Sequence, residues 1–149
     1  ATPPARARDP KPGELIRVSA RGFLVRDLDH TLRCCSANLD WEPSGDVESL
    51  HREGYRRATM PFTVANSASL DIIQPQRWNS DAGLYFNSWG PGLYYIRIAV
   101  ADLKAKAEDL RARGTKFQWI EESEAVGGAS LIRIDPDELR GQLIELEEA

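Results

Sequence analysis

Hydrophobic and polar positions repeat along this chain in two matching series. "VRDLDHTL" begins at Val25 and "VADLKAKA" at Val100, and laying one on the other carries Asp27 onto Asp102 and Leu28 onto Leu103, an offset of 75 residues. Behind each aspartate the apolar residues return at helical spacing: Leu28, Leu32 and Cys35 in the first copy, Leu103, Ala107 and Leu110 in the second. This i, i+4, i+7 rhythm predicts two helices that each bury one stripe. Asp27 and Asp102 are suited to cap their N-termini, and Gly114 to end the second.

Around the helices the rhythm changes to runs that read as strands. "IRVSARGFLV" and "LYYIRIAV" precede them; "VESLH", "YRRATMPFTV" and "ASLDIIQP" follow the first, and "KFQWI", "ASLIRI" and "GQLIELEE" follow the second. The separators "REG", "ANS", "AVGG" and "DPDELRG" are turn-formers. The closing strands align with an offset of 74, Asp71 on Glu145 and Ile72 on Leu146. Each half therefore reads β-α-β-β-β, and a repeat of this length implies two equivalent modules whose sheets combine.

Paired modules of this kind, with "V-x-D-L" opening each helix and a "LDIIQP"- or "LIELEE"-like strand closing each module, resemble the vicinal oxygen chelate superfamily. This is the glyoxalase, bleomycin-resistance and extradiol-dioxygenase group. The resemblance covers about residues 16–148. It implies an α+β fold of two βαβββ modules, at about 15–76 and 91–149, forming a curved mixed sheet or cup with helices on its outer face. The ligand site of such a fold lies inside the cup.

The resemblance also implies a metal site. Metal-dependent members hold a divalent cation with one side chain from the first and one from the last strand of each module. Those positions fall here on Ala20 and Tyr95, and on Asp71 and Glu145. Ala20 has no donor atom, and a phenol such as that of Tyr95 ordinarily keeps its proton to about pH 10. Two carboxylates do not complete the shell of Mg2+ or Zn2+. The standard site is therefore expected to be lost: no cofactor is expected, and a divalent metal is possible only through an incomplete ligand set. The two histidines, His30 and His51, stand on the first helix and second strand, away from these positions, with His51 a candidate for the rim of the cup.

Alternation along "YYIRIAV" puts Tyr95, Arg97 and Ala99 on one face of their strand. A buried arginine there is expected to pair with Asp71 or Glu145, because an unpaired buried charge is very costly. Arg97 then either joins the modules or anchors an acidic group of a ligand. Arg17, Arg21 and Arg133, on other strands, read as surface or rim residues. Trp78, Tyr85 and Trp89, from the stretch between the modules, and Trp119 are candidates for stacking on a flat organic ligand.

Composition narrows the classes further. The 149 residues carry a net charge of −4, are 42% hydrophobic and 28% charged, and suit one domain, residues 15–149, after an extended proline-rich tail or linker at 1–14. The acidic balance argues against a nucleic-acid partner, and no apolar run is long enough to span a membrane. Cys34 and Cys35 are neighbours, which disfavours a disulfide between them and suggests reduced thiols in a cytoplasmic protein.

The reading that follows is metal-independent binding of a small aromatic or amphipathic molecule, with a homodimer or a second glyoxalase-like domain as partner. The alternative is a lyase, isomerase or dioxygenase of the same superfamily. It would use an atypical metal site, or Glu145, Asp71 and Tyr95 as acid-base groups, a desolvated carboxylate having a raised pKa and removing a proton α to a carbonyl.

Overall fold

Both expected helices begin at the expected aspartates. In the computed structural model, which describes residues 9–149, α1 spans Leu28–Leu39 and Asp27 accepts from the backbone N–H of His30. The second helix of the repeat spans Leu103–Arg113, and Asp102 accepts from the N–H of Ala105. A further acceptor reaches each helix start from the closing strand of its own module. The Gln74 side-chain oxygen takes the Leu28 N–H at 2.7 Å, and the Glu148 carboxylate takes those of Asp102 and Leu103 at 2.9 and 3.1 Å. Gln74 and Glu148 are equivalent in the repeat, so the same strand end caps the same helix twice. The carboxylate adds charge to the favourable dipole interaction.

The strands are β1 (Leu15–Leu24), β2 (Glu48–Leu50), β3 (Tyr55–Met60), β4 (Ser69–Pro75), β5 (Gly92–Val100), β6 (Phe117–Ile120), β7 (Leu131–Ile134) and β8 (Leu143–Glu148). They form one mixed sheet in the order β2-β3-β4-β1-β5-β8-β7-β6. The fold is α+β, as the repeat implies. Between the repeats lies a helix outside the doubled pattern, α2 (Asp81–Trp89), which makes the helix at Leu103 α3. Ala82, Tyr85, Phe86 and Trp89 stand at i, i+3, i+4 and i+7, but the helix is only nine residues long and Gly83, Asn87 and Ser88 interrupt the pattern. Ser80 nevertheless caps it, accepting from Gly83.

The chain divides into two compact units. One holds residues 20–62 and 68–96; the other holds 63–67 and 97–149 with residues 9–19. In the first, β1 runs parallel to β4, and β4, β3 and β2 are antiparallel neighbours. Leu28 of α1 is buried on Ala58, Met60 and Ile72, with Leu32 and Cys35 packed alongside. In the second, β6, β7 and β8 are antiparallel, and Leu103, Ala107 and Leu110 of α3 bury on Val100, Ile132, Ile134 and Leu146. Both predicted stripes face their sheets.

The proline-rich tail falls largely outside the described residues. Of its end, Gly13 is buried and donates to the Ala101 carbonyl, so residues just before β1 do pack, against the entrance to α3. Cys34 and Cys35 are both free thiols. No helix among the described residues is long and apolar enough to cross a membrane.

Candidate functional site

The four positions that the resemblance assigns to a metal fall into two centres, one in each unit. In the first unit, Tyr95 donates its hydroxyl to Asp71 Oδ2, and Ser69 Oγ donates to Asp71 Oδ1 at 3.2 Å. Tyr95 and Asp71 are both almost fully buried. The Tyr95 ring lies where Gly22 leaves room: a Cβ on Gly22 would sit 2.5–2.7 Å from three of its ring carbons. Gly22 pairs with Asp71 across β1 and β4, so sheet register brings acid and ring to the same place. Arg57, on β3, completes the electrostatics. Burial works against its charge, but the pull of Tyr95, Asp71, Tyr55 and Glu48 outweighs that and raises its pKa above the ordinary guanidinium value. It also donates to Glu48 at 3.2 Å. Ala20, buried on β1, contributes no polar atom.

In the second unit the acid meets arginines instead. Arg97 donates to Glu145 Oε1 at 2.9 Å, and Arg133 Nε donates to Glu145 Oε2 at 2.9 Å. Glu147 stands 3.7 Å from Arg97, and the Ala125 carbonyl accepts from the same guanidinium at 3.5 Å. Arg97 and Glu145 side chains are 4% and 2% exposed, so this is a buried pair, while Arg133 keeps 18% of its surface. Burial alone would raise the Glu145 pKa; the two guanidinium groups reverse the direction and hold it below the usual carboxylate value. Glu145 is therefore ionised, the opposite of the raised pKa expected for a desolvated acid.

These contacts test whether the chain's residues suit the family's cation. Ala20 offers nothing. Asp71 already accepts from Tyr95 and Ser69, and both oxygens of Glu145 accept from arginine. Among the described residues no group of three or more His, Cys, Asp or Glu side chains comes together as a metal-ligand cluster. The donor set does not fit.

The remaining candidates scatter. Tyr85 donates to the Leu93 carbonyl and stacks obliquely between Trp89 and Tyr94, which in turn meets Tyr95 edge-on. Trp89 itself is 76% exposed and Trp78 74%. Trp119 packs on the α3 core. His51 is not on a strand but on the exposed turn after β2, where its carbonyl accepts from Arg77. His30 is exposed on α1.

Two functional-looking arginines escaped the sequence reading. Arg133 reads as a rim residue from its strand alone, yet in β7 it stands directly opposite Glu145 of β8. Counting the β7–β8 hairpin back from Glu145 would have found it. Arg57, in the "HREGYRR" stretch, carries no comparable signal, since its place beside Asp71 depends on the fold of β3 onto β4.

No protein-family model matches the sequence, and no curated protein matches it significantly. Solved structures do match. A Streptomyces coelicolor methylmalonyl-CoA epimerase variant in complex with 2-nitronate-propionyl-CoA is 26% identical with a TM-score of 0.77, over 89% of this chain and 96% of that one. The methylmalonyl-CoA epimerase of Mycobacterium tuberculosis is 24% identical, also with a TM-score of 0.77, over 91% of this chain and 89% of its own. A further epimerase structure, holding methylmalonyl-CoA and NH4+, is 26% identical over 89% of this chain and 94% of its own, with the same TM-score of 0.77. Doubled phrase, strand order and structural likeness agree: the chain is a member, by fold, of the vicinal oxygen chelate superfamily.

Proposed function

We propose that the chain binds a small acyl-thioester ligand without requiring a divalent metal. One observation carries the metal-free part: both oxygens of Glu145 are taken by Arg97 and Arg133, and Asp71 is taken by Tyr95 and Ser69. The ligand class is supported by the epimerase structures, which hold methylmalonyl-CoA or 2-nitronate-propionyl-CoA. Arg133, partly exposed beside the fully buried Glu145, is the cation best placed to meet a ligand carboxylate, with Arg97 set as the strut beneath it.

The comparisons favour a second reading more strongly than the first, an isomerase acting on a CoA ester, since the likeness to epimerases spans nearly the whole chain. Such a reaction needs a base for the proton α to the thioester carbonyl. Glu145, held ionised by two arginines, is a weak base, so the reading calls for a different base or an atypical metal. Calorimetric titration with methylmalonyl-CoA, with and without EDTA, joined to mass spectrometry of the ligand recovered from D2O, separates the readings. Binding unaffected by EDTA with no deuterium at C2 supports the first. Enzyme-dependent deuterium uptake at C2 establishes the second, and no binding under either condition refutes both.

A further inference from the structure

Strand β4 has two faces with different occupations. Asp71 points to the face shared with Tyr95, whereas Ile72 packs under α1 and Gln74 caps it. Alternation therefore places Gln74 on the helix side, opposite to Asp71. On that side a cavity of about 200 Å3 opens among Val25, Arg26, Gln74, Trp78, Phe86 and Asn87. It belongs to neither acid centre.

Its lining is unusual in being both prepared and unspent. The segment under Trp78 is tightly fixed. Arg77 donates to the His51 carbonyl at 2.9 Å, Ser80 Oγ donates to the Arg77 carbonyl at 2.7 Å, and α2 approaches so closely that a Cβ on Gly83 would lie 2.2 Å from the Arg77 oxygen and 2.7 Å from the Trp78 oxygen. Only glycine fits there. This rigid support nevertheless presents Trp78 to solvent, 74% exposed. Among the described residues the Arg26 side chain makes no ion pair or hydrogen bond, its guanidinium resting 5.4 Å from the centre of the Phe86 ring, and the Asn87 carboxamide makes no hydrogen bond either. An aromatic side chain on a fixed backbone, a guanidinium and a carboxamide around one cavity are the complement of a flat ring bearing a carboxylate: ring on Trp78, carboxylate on Arg26 and Asn87.

We infer that this pocket on the helix face of the first unit binds a single-ring aromatic carboxylate. Its volume is below the roughly 300–1,000 Å3 of drug-sized sites, which limits the ligand to one ring with its acid.

Benzoate is the probe, with benzamide as its neutral counterpart, followed by 15N NMR of the full chain. Saturable shifts at residues 25–26, 74–78 and 83–87 are expected, with a dissociation constant in the millimolar range that ligand efficiency sets for so small a molecule. Arg26→Gln should weaken benzoate at least about tenfold, the loss of one charge-assisted hydrogen bond, and leave benzamide nearly unchanged. Trp78→Ala should weaken both. Gly83→Ala, by displacing the Trp78 backbone, should abolish binding even with Arg26 and Trp78 in place. Absence of saturable shifts, or benzoate affinity unchanged in Arg26→Gln, overturns the inference. Shifts confined to the surroundings of Asp71 or Glu145 overturn it too, while leaving the proposed acyl-thioester function standing.

Discussion

The two acid centres occupy equivalent positions in the repeat yet solve the same problem differently. Offsets of 74 and 75 residues carry Asp71 onto Glu145, Thr59 onto Arg133 and Gly22 onto Arg97. Register agrees: Thr59 stands opposite Asp71 on β3 and β4, as Arg133 stands opposite Glu145 on β7 and β8. In the second unit the neighbours of the acid are both cations, and the charge is balanced by contact. In the first they are a threonine and a glycine, and the room left by Gly22 is filled by the Tyr95 ring, which brings a hydroxyl to the carboxylate. Duplicated backbone geometry thus carries two chemistries: two guanidinium contacts at Glu145, and at Asp71 hydrogen bonds from hydroxyls with the charge of Arg57 beside them. In both, the acid is satisfied from inside the protein.

The largest expected effect tests the ionic centre. Arg97→Met keeps most of the side-chain length and leaves Glu145 with one guanidinium, at a cost of about 3–5 kcal/mol in denaturant unfolding, the range for breaking a buried pair. Adding Glu145→Gln should recover part of it. Glu145 has a folded pKa below its unfolded value, so its stabilisation is complete above the ordinary glutamate range and is lost as pH falls through the lowered folded value. Glu145→Gln should flatten that acid limb. Equal stability of Arg97→Met and wild type would mean that the arginine is no strut.

A smaller effect tests the hydrogen-bonded centre. Gly22→Ala drives a methyl into the Tyr95 ring and should cost about 1–3 kcal/mol, as overpacking does. Gly45→Ala, where nothing lies within 4 Å of the added carbon, should leave the melting temperature unchanged and so controls for glycine replacement as such. If both behave alike, the close approach of Gly22 and Tyr95 is wrong.

The smallest effect compares the caps. Asp27→Ala and Asp102→Ala should each cost about 0.5–2 kcal/mol. The two aspartates differ in backbone: Asp27 is extended at φ −138°, and Asp102 is left-handed at φ 56°. A left-handed residue other than glycine carries strain, so glycine should outperform alanine by more at 102 than at 27. Equal gaps would remove the distinction.

What the sequence disclosed followed from period. The doubled phrase located both helices with their caps and buried stripes, and alternation placed Tyr95 and Arg97 among the buried residues of β5. Offset counting brought out Asp71 and Glu145 as equivalents. What it could not disclose depended on register and on the absence of side chains. Arg133 meets Glu145 only because the β7–β8 hairpin closes where it does, and Gly22 matters for the volume it leaves. The direction of the Glu145 pKa needed the count of arginines around it, which strand alternation along β5 supplies only in part. Helix α2 was legible in the i, i+3, i+4, i+7 spacing of Ala82, Tyr85, Phe86 and Trp89, but those aromatic residues read equally as candidates for stacking on a ligand, and the pocket beside the helix escaped with it.

The central claim is that the two carboxylates at the positions the resemblance assigns to a metal are already taken, Asp71 by Tyr95 and Ser69 and Glu145 by two arginines, and do not hold a metal ion. Metal analysis of protein purified without chelator, followed by calorimetric titration with Zn2+, Co2+ and Mn2+, tests it most directly. The account predicts far less than one equivalent of metal per chain, no saturable binding, and a melting temperature indifferent to EDTA. Stoichiometric metal that resists dialysis, with a melting temperature that falls on chelation and a site lost in Glu145→Gln or Asp71→Asn, would contradict it.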